Sequence, residues 1–122
     1  MTSEVQRDDG ERLRRFKAEF FKALGHPLRI GILELLRAGP LSVTQIQQAT
    51  GAPSSSVSQQ LAVLRARNIV STERQGTTII YRVPDPELFE VLDVVRNLFN
   101  VHLRQTIDLL RRAGAEERPA GR

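Results

Sequence analysis

Within GAPSSSVSQQLAVLRARNIV, residues 51–70, four serines and two glutamines interrupt an evenly spaced apolar set. Hydroxyls and amides donate and accept hydrogen bonds without carrying charge, so side chains of this kind suit the reading of polar edges. At 100° per residue on a helix from about Ser54 to Arg67, Val57, Leu61 and Leu64 cluster within about 60° and face a core. Ser55, Gln59, Ala62 and Ala66 stand opposite, with Ser58 and Arg65 on the flank. A helix entering the DNA major groove needs polar groups near its N-terminus and small side chains further along, where its backbone comes close. Gln suits adenine, while Arg65, Arg67 and Arg74 can neutralise phosphates. The competing reading is plain: serines favour helix starts, and a solvated face is polar anyway.

The elements around this segment favour the first reading. Leu13, Phe16, Phe20 and Leu24 recur at three- and four-residue steps and predict a first helix, stopped by Gly25-His26-Pro27. PLRIGILELLRAG, with Pro27 in the first turn and Gly39 at the end, is apolar nearly all round and reads as a central helix. His26 begins that helix and takes no sensing role. Ser42 and Gln45 have capping-box spacing for a short third helix ended by Gly51. After the serine-rich helix, Ile69–Val83 is rich in β-branched residues and turns around Gly76, a β-hairpin. Pro84 closes it. Asp85 as N-cap, Pro86 at the first position and Glu87 near the positive end of the dipole start a last helix that runs to about Arg112. The expected fold is mostly α with a small β-hairpin, a helix-turn-helix followed by a two-stranded wing at 74–78.

The 122 residues suit one compact domain, 11–112, between polar segments 1–10 and 113–122 that read as flexible tails. Eighteen basic and fourteen acidic side chains give +4, with a pI near 10.6, a balance that suits a polyanion. The absence of cysteine excludes disulfides, thiolate metal sites and thiol redox sensing. No run approaches the roughly 18 apolar residues of a membrane span and the charged N-terminus is no signal peptide, so a cytoplasmic location is expected. No nucleophile with a base at a motif spacing, phosphate-binding glycine loop or His-Glu metal motif is present, which argues against an enzyme.

FFKALGHPLRIGILELL and LSVTQIQQATGAPSSSVSQQLAVLRARNIVSTERQGTTIIYRV, with the helix that follows, resemble the ArsR/SmtB family of bacterial winged helix-turn-helix repressors. The resemblance covers roughly residues 13–110. It implies a homodimer joined through the first and last helices and a double-stranded DNA operator released when an inducer, often a metal ion, binds. It places base contacts on Ser54, Ser55, Ser58 and Gln59, with Ser56 beside them. Backbone contacts fall to Thr44 and Gln45 and to wing residues Arg74, Gln75 and Thr77.

Dimerisation also has support from the residues. Leu88, Leu92, Val95, Phe99, Leu103 and Leu110 form one stripe of the last helix, and Val91, Val94, Leu98, Val101 and Leu109 widen it beyond what one small core needs. Leu13, Phe16, Phe20, Leu92, Val95, Phe99, His102 and Leu103 are therefore the expected interface. The family's thiolate metal positions correspond to Ser42 and Gln45. Its last-helix zinc site matches Asp85 and Glu87 at the start, but later positions fall on Leu98 and Val101, which cannot ligate. No metal is expected there. Two His102 residues near a dimer axis, or His102 with Asp85 or Glu87 of a second subunit, are the remaining zinc or nickel candidates, against the simpler reading of His102 as an interface residue. A winged-helix adaptor that binds protein instead of DNA remains the alternative function.

Overall fold

The computed structural model describes residues 2–117, with side chains for residues 7–115. The chain runs α1 Thr2–Leu24, α2 Pro27–Leu36, β1 Leu41–Ser42, α3 Val43–Thr50, α4 Ser54–Ala66, β2 Ser71–Gln75, β3 Thr78–Arg82 and α5 Glu87–Glu117. Residues up to Asp85 form one compact unit and α5 a second.

Local chemistry sets the boundaries within the first unit. His26 caps α2 from an extended backbone, its Nδ1 accepting from the Leu28 N–H at 3.1 Å, and Pro27 follows where a missing N–H costs nothing. Ile32, Leu33 and Leu36 of α2, Ile46 of α3 and Val57, Leu61 and Leu64 of α4 are buried together with Ile69 and Val70. Val57, Leu61 and Leu64 are 0% exposed, and fully burying each such side chain contributes about 1.5–3 kcal/mol. Those three seat α4 and leave its opposite face outward.

α4 ends in a Schellman motif. Asn68 takes the left-handed conformation at φ 59°, its N–H donates to the Arg65 carbonyl at 3.0 Å, and the Ile69 N–H reaches the Leu64 carbonyl at 3.0 Å. The usual apolar partners of this motif are here Leu64 and Ile69, both buried. The hairpin pairs Gln75 with Thr78 across a two-residue turn in which Gly76 has φ 63°. A positive φ at the first central position is the type II′ arrangement, which matches the twist of the strands.

Three expectations need correction. Residues 2–10, read as a loose tail, belong to α1. Polarity signals only that a segment lacks a buried face, and extending an existing helix adds one backbone hydrogen bond per residue fixed; an exposed Asp8–Arg12 pair at 3.3 Å adds i,i+4 support. Residues 113–117, read the same way, continue α5, while 118–122 lie outside the described residues. The sheet has three strands, not two, in the order β1-β3-β2, because Leu41 pairs with Tyr81 and Ser42 with Ile80. β1 is too short to show a two-residue period. One boundary also shifts: α5 starts at Glu87, so Pro86 rather than Asp85 precedes its first residue, and the Phe89 N–H bonds the Pro86 carbonyl at 3.1 Å.

Candidate nucleic-acid interface

The turn between α3 and α4 is tightly fixed. Ser42 and Gln45 form the capping box, Ser42 Oγ accepting from the Gln45 N–H at 3.2 Å and Gln45 Oε1 from the Ser42 N–H at 2.9 Å. At the other end Gly51, φ 72°, donates to the Gln47 carbonyl at 2.8 Å. Thr50 Oγ1 donates to the Ile46 carbonyl at 2.9 Å and accepts from the Ala52 N–H at 3.2 Å. These bonds hold the entry to α4 with little freedom.

Pro53 precedes α4 and no side chain caps it. The first turn, Ser54, Ser55 and Ser56, contains no acidic residue. Its backbone N–H groups and the positive end of the helix dipole therefore meet no competing carboxylate, which favours an approaching phosphate. Ser54, Ser55, Ser58 and Gln59 are exposed, as the sequence predicts, while Ser56 is half-buried. Thr44 is exposed at the start of α3. Gln45 is exposed too, but its oxygen is committed to the cap, so only its amide N–H groups remain for a partner. Arg74, Gln75 and Thr77 are exposed at the hairpin tip.

Beyond the serines, Ser58, Ala62, Arg65 and Ala66 line an open groove of about 440 Å³ together with Tyr81 of β3. Tyr81 is the side chain that the sequence does not reveal. Nothing in residue order brings it near Ala62, and only the docking of the hairpin beside α4 does so. Its phenol adds a donor and acceptor to the groove that Arg65 also lines, chemistry suited to sugar-phosphate oxygens.

The interface candidates fall into two groups. On α1, Leu13 and Phe16 are exposed, Phe16 by 66%, while half-buried Phe20 stacks on Phe16 with centroids 6.2 Å apart. On α5, Val95, Phe99, His102 and Leu103 are exposed, Phe99 by 62%, and Leu92 is half-buried. Apolar exposure this extensive exceeds what scattered surface residues explain.

The positions corresponding to the family's thiolate site do not fit a metal, because Ser42 and Gln45 bond each other's backbone in the capping box. Among the described residues, no three of His, Cys, Asp and Glu gather where they could hold one ion. No described helix is long and apolar enough to cross a membrane.

Known proteins agree with this architecture. The family model for bacterial regulatory proteins of the arsR family matches residues 26–72, which span α2 to the start of β2. An uncharacterized HTH-type transcriptional regulator of Mycobacterium tuberculosis, Rv0081, is 44% identical over 91 residues, 74% of this chain and 80% of the relative. Its crystal structure superposes with a TM-score of 0.71 over 78% of this chain and 96% of that one. The biofilm growth-associated repressor of Xylella fastidiosa is 31% identical over 101 residues, 83% of this chain and 89% of the relative. A homodimeric winged helix-turn-helix DNA-binding domain from Mycobacterium bovis, 30% identical, gives a TM-score of 0.72 over 80% of this chain and 91% of that one. With helix-turn-helix, wing and sequence in agreement, the chain belongs to the arsR family of bacterial regulatory proteins, and it is a transcriptional regulator rather than an enzyme.

Proposed function

We propose that two copies of the chain form a homodimeric repressor in the cytoplasm that sets α4 of each copy into the major groove of double-stranded DNA and rests the wing at 74–78 on the backbone. The observation that carries this reading is the outward face of α4, where Ser54, Ser55, Ser58 and Gln59 are exposed opposite three fully buried apolar residues. Backbone contacts in this reading fall to Thr44, the Gln45 amide, Arg65, Arg74, Gln75 and Thr77, all exposed. Dimerisation is supported by the exposed apolar residues of α1 and α5 and by the homodimeric Mycobacterium bovis domain. Repression is supported by the repressor from Xylella fastidiosa. In this reading His102 is an interface residue between Phe99 and Leu103 on an exposed helix, and Glu87 lies in the first turn of α5, where a carboxylate is favourable.

The test is enrichment of duplexes from a randomised library, followed by fluorescence anisotropy at several salt concentrations. A DNA-reading dimer enriches a related set of sequences and binds them far more tightly than scrambled duplex, with affinity falling steeply as salt rises. Absence of enrichment even at low salt would favour the protein-binding adaptor instead.

A further inference from the structure

The buried stripe of α4 sets which face of the helix turns inward, and the α3–α4 turn fixes its entry, so the rotation and tilt that remain are small and fall to directional contacts. Hydrogen bonds are directional, and one guanidinium supplies them here. Arg29, half-buried near the start of α2, donates from Nε to the Ala23 carbonyl at 2.6 Å and from Nη2 to the Lys22 carbonyl at 3.3 Å. Its Nη1 donates to Gln60 Oε1 at 2.8 Å. Lys22 and Ala23 belong to the last turn of α1, where a cation is favourable, and the Lys22 carbonyl also accepts from the Gly25 N–H at 3.1 Å. Gln60 belongs to α4, is half-buried, and directly follows exposed Gln59.

A second tie joins the same two helices. Arg67 Nη2, just past the end of α4, lies 2.6 Å from Glu19 Oε2 of α1. Both side chains are about half exposed, so that pair contributes little stability alone. The arginine fork is different: it is planar, always charged and half-buried, and its three bonds cannot all be kept if α4 rotates against α1.

We propose that Arg29 is a positioning residue for DNA recognition, holding Gln60 of α4 to the last turn of α1 so that Ser58 and Gln59 meet the bases at a set angle. This rests on the DNA-binding reading above. Arg29 need not touch DNA. Its effect falls on base contacts, which fail with small misplacements, and spares phosphate contacts made by long mobile side chains.

Two mild variants of the full chain test the proposal. Gln60→Leu removes the tie but leaves the α1 carbonyls bonded to Arg29. Arg29→Lys keeps the cation at the helix end but loses the planar fork. The first readout is amide hydrogen exchange without DNA, where both variants are expected to exchange faster across α4. The second is anisotropy on a duplex enriched by the wild-type protein and on its scrambled counterpart. Each variant is expected to weaken the enriched duplex by about tenfold, a loss on the scale of one base contact, and the scrambled duplex by less than about twofold. The double variant should match the worse single one, since both remove the same link. Unchanged exchange in α4, equal loss on the two duplexes, or additive losses would overturn the proposal. Failure of the wild-type protein to enrich any duplex would instead refute the DNA-binding reading, and the exchange data would still judge the tie.

Discussion

Ser58 and Gln59 stand exposed on the turn of α4 that follows its uncapped N-terminus, so each can offer polar atoms to a base edge without giving up a bond within the chain's described hydrogen-bond network. Gln59→Ala or Ser58→Ala is therefore expected to cost about 1–3 kcal/mol on the enriched duplex for each lost base contact, with little change on scrambled DNA, as titrations by anisotropy will measure. Arg74 acts differently. Exposed at the wing, it can meet phosphates of any sequence, so Arg74→Ala should weaken both duplexes and reduce the slope of log affinity against log salt by about 1. The outward face of α4 was legible in the sequence because a helix repeats its faces on a known period and Val57, Leu61 and Leu64 mark the inward one. Gln45 was only half legible: its spacing from Ser42 foretells the capping box, and the same bond withdraws its oxygen from DNA. Tyr81 and the Arg29–Gln60 bond were not legible, since both arise from packing between segments distant in sequence.

The turns between elements fix where α4 starts and ends. Asn68 adopts φ 59° to close the Schellman motif, and left-handed backbone is disfavoured for β-branched residues by roughly 1–2 kcal/mol. Asn68→Val should thus lower stability by about that amount, and Asn68→Gly should leave it equal or slightly higher, as urea unfolding will report. Loss of the α3 cap in Ser42→Ala should cost about 1 kcal/mol by the same measurement. Capping box, glycine-closed α3 and hairpin turn were all readable because each depends on a residue type with a local conformational preference. The strand β1 and the helical residues 2–10 were not, because a two-residue strand exists only through its pairing with β3 and a helix without an apolar face leaves no periodic mark.

At the scale of the whole molecule, the exposed apolar residues of α1 and, separately, those of α5 ask for cover. Phe16, Phe99 and Leu110 are each more than 60% exposed, and a second copy offers the same surface in return. Phe99→Asp would bury a carboxylate without a partner in such an interface. It is expected to sediment as a monomer and to lose affinity for the enriched duplex, since one α4 forfeits the half-site read by the other. A homodimer carrying two such helices must also match the pitch of its target, with half-sites centred about 34–36 Å apart or a multiple of that distance. Guanine N7 lies in the major groove, so methylation protection across the enriched duplex tests this account most directly. The expected result is two symmetric protected patches in successive major grooves, both lost in Phe99→Asp; protection confined to the minor groove, a single patch, or none at saturating protein would contradict it.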